Sequence, residues 1–210
     1  MTGNSQEAEF GDERLSASAT ALVVFDMLEC YRESIEKAGT ISKVVELLIG
    51  CRRVGLPVIF ARADHRADGR DFALTMSDTD PSFRPWGSDN HPPTKPPYGA
   101  GSPMLLPLRE FEMSEQDFDI PKHRWSAFHG TALDTTLRSL GVSTILLVGG
   151  STHVGVASTA YAARDLDYQV TIVRDGCHGF EEQKEFFMEK VFPRMCRVRT
   201  VAQVLENICQ

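Results

Sequence analysis

Four short runs in this chain are almost wholly apolar and rich in β-branched residues: ALVVF (21–25), PVIFA (57–61), TILLV (144–148) and QVTIV (169–173). Runs of this length, bounded by polar or glycine-bearing segments, read as buried strands. Between the first two, from about Ser34 to Val54, the residues Ile35, Ala38, Ile41, Val44, Val45, Leu48 and Ile49 recur at mixed three- and four-residue spacing, as one face of a helix requires. Gly55 and Leu56-Pro57 stop that helix. A strand, a helix and a second strand with a short exit form the βαβ unit of a parallel sheet.

The alternation continues. A strand is predicted near 118–120, helices over about 131–140, 153–167 and 181–191, a last strand at 196–199 and a closing helix in VAQVLENI. The expected fold class is α/β: a three-layer, open, mostly parallel sheet of about six strands with helices on both faces, Rossmann-like. Residues 1–18 read as an N-terminal arm and 19–210 as one domain. Residues 62–103 differ in kind, being rich in Asp, Gly, Ser and Pro with sparse aromatics. A loop this long inside a compact domain is usually functional.

Charge narrows the partners. The formal net charge of -7 leaves no basic surplus for phosphates, which excludes nucleic acid and an anionic membrane surface and leaves a small-molecule substrate. The polar, acidic start lacks the basic and apolar regions of a signal peptide, so a cytoplasmic protein is expected. Five cysteines at 30, 51, 177, 196 and 209 form an odd, scattered set without a CxxC pair, which reads as reduced packing thiols rather than disulfides or a zinc ribbon.

In open α/β sheets, ligands gather at the carboxyl ends of strands. Those ends carry Asp26 after the first strand, Lys122 after a central strand, and the turn Gly149-Gly150-Ser151-Thr152 leading into a helix. Asp26 alone is the ordinary helix cap or loop acceptor. The three segments together, ALVVFDM, PKHRWSAFHGT and VGGSTHVGVASTAYAARDLDYQVTIVRDGC, resemble the isochorismatase-like hydrolase superfamily over about residues 19–208. The resemblance implies that Asp26 matches the catalytic aspartate, that Lys122 matches the catalytic lysine, and that Gly155 stands where most members carry a nucleophilic cysteine. Isochorismatases proper also have glycine there. It further implies a cis peptide between Gly150 and Ser151, aiming the Ser151 and Gly155 N–H groups at one substrate oxygen, and a homo-oligomer, dimer or tetramer.

Glycine supplies no nucleophile, so the thiol route to amide hydrolysis is closed. Hydrolysis of a vinyl ether asks instead for a proton delivered to the enol carbon, which a protonated Asp26 supplies while Lys122 holds substrate charge. A glycine at 155 is expected to open space beside the backbone, the alternative being close packing against a strand. Trp125 and Arg124 beside the lysine, with Trp86, Arg84 and Tyr98 in the long loop, are candidate substrate contacts. No cofactor is expected. No metal is expected either, because Asp64-His65 departs from the Asp-x-His of nicotinamidases and His91 lies far along the chain. The leading expectation is a cysteine-independent hydrolase of a small carboxylated vinyl ether such as isochorismate. The alternatives are a non-catalytic small-molecule binding protein, and an amide or ester hydrolase that uses an Asp26-activated water.

Overall fold

The computed structural model describes residues 15–71 and 98–209. In chain order the elements are β1 (Leu15–Ser16), β2 (Thr20–Phe25), α1 (Arg32–Ala38), α2 (Ile41–Arg53), β3 (Val58–Ala63), β4 (Phe118–Lys122), α3 (Leu133–Ser139), β5 (Thr144–Gly149), α4 (Ala157–Asp165), β6 (Gln169–Cys177), α5 (Glu181–Phe186), β7 (Arg197–Arg199), α6 (Val201–Asn207) and β8 (Ile208–Cys209). Six strands form one all-parallel sheet in the order β4-β3-β2-β5-β6-β7. The chain therefore starts in the middle, winds to one edge, and returns to build the other half from β5. The direction of winding reverses between β2 and β5, and a crevice opens beyond the carboxyl ends of strands at such a reversal.

Both faces of the sheet are covered, which is why β2 reads as unbroken hydrophobic sequence. Leu22 and Val24 pack with Val44, Leu47 and Leu48 of α2 and with Val201 and Val204 of α6. Ala21, Val23 and Phe25 point the other way, into Leu133 and Leu137 of α3 and Ala157, Ala160 and Ala163 of α4. This is the expected three-layer arrangement. Among the described residues, no helix is long and apolar enough to cross a membrane.

Two expectations need correction. The single helix predicted from Ser34 to Val54 is two helices, because Gly39 takes φ +68° at the end of α1 and its N–H donates to Glu36 O at 3.0 Å. Apolar spacing carries across that break, so periodicity alone does not reveal it. The arm predicted for residues 1–18 is in part structured: Leu15 is buried, and β1 pairs in parallel with β8. The rest of the arm, residues 1–14, lies outside the described residues. Smaller differences concern ends. β6 runs to Cys177 through a register shift against β5, and the helix predicted from His153 begins as a π-helical turn, Thr152–Val156, before α4.

Gly149 lets β5 approach β2. Its φ is +122°, and a Cβ there would lie 2.0 Å from Phe25 O. Gly149→Ala is expected to cost about 3 kcal/mol of stability, from backbone strain and overpacking together. Urea denaturation followed by circular dichroism measures it.

Candidate active site

Three strand ends build the site. Register places Phe25 opposite both Ala61 of β3 and Gly149 of β5, and Ala63 opposite Lys122 of β4. Asp26, one residue beyond β2, has φ +47°, a conformation that Asp tolerates better than most residues. Its N–H donates to Ala61 O at 2.9 Å, which holds that turn. The carboxylate then reaches across β3: Oδ1 accepts from Ala63 N at 2.7 Å and Oδ2 from Lys122 Nζ at 2.6 Å. Both side chains are largely buried, at 12% and 5% exposure. The Lys122 ammonium also sits 4.3 Å from the centroid of the Phe25 ring, a cation–π contact.

Burial and charge pull the Asp26 carboxyl in opposite directions. Desolvation raises its pKa, while the Lys122 ammonium, the Ala63 N–H and His65 lower it, and the net direction is upward. The acid form is therefore favoured more than in a free aspartate. Tyr31 and the Cys30 thiol also feel Asp26, and both are pushed up, chiefly by burial, to about 12 and about 11.

The turn after β5 is held from β6. The Gly150–Ser151 peptide is cis. His178 O accepts from Thr152 N at 2.9 Å and from Thr152 Oγ1 at 2.8 Å, while His178 N donates to Gly149 O at 3.0 Å. Its ring lies against Gly150, where a Cβ would come within 2.4 Å of Cε1 and Nε2. Burial pushes the His178 imidazole down to about 4, so it is a neutral packing piece at ordinary pH. In the sequence, only the place of His178 one residue past β6 points to this turn.

Gly155 does not open free space. A Cβ built on it would lie 2.1 Å from Phe25 Cε1 and 2.4 Å from Cζ, so the ring of Phe25 fills the volume beside the glycine. The expectation of an open cradle is thereby corrected in favour of close packing against a strand. The physical reason is the alternation along β2: Phe25 shares a face with Ala21 and Val23, and that face meets the turn before α4. The phenylalanine in ALVVF was the available signal.

The remaining candidates are dispersed. Arg124 Nη1 donates to Asp71 O at 2.8 Å and His123 O at 2.7 Å and so faces the start of the long loop, not Asp26. Trp125 is 70% exposed and Tyr98 is 37% exposed. Arg84 and Trp86 lie outside the described residues. His153, in the turn before α4, packs its ring 5.8 Å from Phe180 and 6.5 Å from Phe187.

No thiol with a described environment is activated. Cys177 is fully buried near Leu147 O, and burial pushes its thiol, like those of Cys51 and Cys196, to about 12.

This arrangement has relatives. The profile of the Isochorismatase domain matches residues 20–203. The chain belongs to the isochorismatase family. It is 32% identical over 206 residues to the uncharacterized isochorismatase family protein YecD of Escherichia coli O157:H7, covering 92% of this chain and 98% of that one. It is 28% identical over 183 residues to the ureidoacrylate amidohydrolase RutB of Variovorax paradoxus (strain S110), covering 78% and 70%. Among solved structures, an isochorismatase family protein from Burkholderia thailandensis superposes with a TM-score of 0.72 at 28% identity, over 90% of this chain and 95% of that one. The family is hydrolytic, and the six-stranded sheet described above is its fold.

The Phe25–Gly155 contact is testable by stability alone. Alanine at a helical position is worth up to about 1 kcal/mol over glycine, but overpacking a core costs about 1–3 kcal/mol. Gly155→Ala is expected to destabilise the wild-type protein and to stabilise a Phe25→Ala background, which a double-mutant cycle reads as positive coupling.

Proposed function

We propose that this chain hydrolyses a small carboxylated vinyl ether without a thiol nucleophile, with Asp26 as proton donor and Lys122 as the cation that receives substrate charge. The observation that carries the reading is the buried Asp26 carboxyl, with its pKa raised, set against Lys122 and the Phe25 ring. By the family resemblance, Gly155 takes the position of the cysteine, and the Phe25 ring fills the space where a thiol would stand.

The chemistry follows from the charges. Asp26 gives its proton to the terminal enol carbon, leaving an oxocarbenium ion at the carbon that bears the ether oxygen. Water adds to that carbon, its spare proton returns to the Asp26 carboxylate, and the adduct collapses to a 2-oxo acid and an alcohol. Such proton transfer contributes about 10²–10⁴-fold. A carboxylated substrate fits because its negative charge offsets the ammonium that favours ionised Asp26.

Isochorismate is the first compound to test, read by release of pyruvate. Asp26→Asn is expected to lower turnover by about 10²–10⁴-fold while the protein still folds. Turnover equal to the uncatalysed reaction, and unchanged by the substitution, would remove this substrate.

A second reading, amide or ester hydrolysis by an Asp26-activated water, is favoured by the 2.6 Å contact with Lys122, which stabilises the carboxylate. The RutB relative, a ureidoacrylate amidohydrolase, points the same way. The direction of the pH profile separates the two. A proton donor is active below its pKa, so the rate of the acid mechanism falls as pH rises through the raised Asp26 value. A general base gives a rate that climbs over the same window. Removing the cation in Lys122→Met moves Asp26 further up, so the limb is expected to shift to higher pH. A limb that stays in place would show that Asp26 does not set it.

A further inference from the structure

Beside the Asp26–Lys122 pair lies a group of side chains that the proposed reaction does not use. His65 leaves the sheet two residues past β3, and His123 leaves it one residue past β4. The two strands are parallel neighbours, and Asp64 N donates to Lys122 O at 3.2 Å, so both chains emerge side by side. Their imidazole centroids are 5.5 Å apart. The turn that starts at Arg66 brings Asp71 between them: its Oδ1 lies 3.5 Å from His65 Nδ1 and its Oδ2 lies 3.4 Å from His123 Nδ1.

We propose that His65, Asp71 and His123 form a binding site for a divalent transition-metal ion of the zinc class. The separations carry the argument. A well-made N–H···O hydrogen bond is about 2.7–3.2 Å long, so 3.4 and 3.5 Å are long for direct imidazole–carboxylate bonding. A tetrahedral ion about 2.0–2.2 Å from each of its ligands holds the ligand atoms at corners roughly 3.3–3.6 Å apart. All three residues offer donor atoms within 4.8 Å of one another, so small side-chain rotations bring the whole set onto one ion.

The carboxylate is oriented without the ion. Arg66 N–H donates to both Asp71 oxygens, at 2.9 and 3.1 Å, and Arg124 Nη1 holds the Asp71 carbonyl at 2.8 Å. The two histidines are placed by the β3–β4 ladder. Outer hydrogen bonds of this kind fix ligand direction and raise affinity. Two imidazoles and one carboxylate suit zinc, cobalt, nickel or iron, whereas calcium and magnesium prefer oxygen ligands throughout. Three protein ligands leave a position for water or an oxygen of a small ligand, as in metal sites that do chemistry.

The expectation that no metal binds rested on the spacing of Asp64-His65 and on the remoteness of His91. The set found here keeps His65 but replaces the other two residues with Asp71 and His123. Asp71 and His123 are 52 positions apart in the chain, and only the β3–β4 register shows that they meet.

Untagged full-length protein, stripped with a chelator, is titrated with cobalt(II) and with zinc(II) in equilibrium dialysis. The expected result is one ion per chain, with the intense visible ligand-field bands of four-coordinate cobalt. His123→Ala and Asp71→Asn are each expected to weaken binding at least about tenfold, and His129→Ala is expected to leave it unchanged. His123 is 44% exposed, so its replacement tests binding without unfolding the protein, which a thermal melt verifies. Binding below one-tenth of an ion per chain, or affinity unaltered in both site variants, would overturn the proposal. Because the readout is metal content and colour, its failure leaves the proton-donor reading intact, and the reverse also holds.

Discussion

A carboxylate and an ammonium 2.6 Å apart, spanning β3 from β2 to β4, form the contact on which the rest of this molecule's chemistry turns. Taking two charges out of water is costly, and a buried pair is repaid only when its remaining lone pairs and protons are also satisfied. Here Asp26 accepts from the Ala63 N–H as well, and the Lys122 ammonium lies over an aromatic ring. Removing one partner of such a pair costs about 3–5 kcal/mol, because the other charge is left stranded. That cost ties the geometry of the crevice to the integrity of the sheet, since both residues belong to strand ends fixed by parallel register.

Around this pair the structure arranges supporting contacts from neighbouring elements. His178 braces the Gly150–Ser151 turn by its carbonyl, its N–H and its ring. Arg62 bridges Asp119 with two nitrogens and thereby helps to fix β4 against β3 just below the site. The Asp26 carboxyl is positioned by the main chain of one strand and opposed by a side chain from another. Rigid placement of that kind is what lets desolvation, rather than a specific partner, dominate the acidity of Asp26.

Much of this was legible in the residues. The apolar runs ALVVF and TILLV announce central strands because both of their faces are buried, and the carboxyl-end rule then selects Asp26, Lys122 and the GGST turn. What escaped has definite causes. The break at Gly39 is hidden because α1 and α2 present apolar residues at compatible spacing on either side of a single left-handed residue. The filling of the space beside Gly155 was missed because a glycine read along the chain looks like a vacancy, and the ring that occupies it comes from a residue 130 positions earlier. The grouping of His65, Asp71 and His123 depends on a strand pairing that no local pattern encodes.

The interlock of Phe25 with Gly155 restricts the mutational routes open to this scaffold. To place any side chain at 155, either the ring must go first, leaving a hole whose cost for a buried phenylalanine is about 3–5 kcal/mol, or the new atoms must be forced against it first, at about 1–3 kcal/mol. With total stabilities of only about 5–15 kcal/mol, both orders pass through a weakened ancestor. Drift from a scaffold of this kind toward one that bears a side chain at 155, or back again, is therefore a paired change, and lineages are expected to keep the two positions matched.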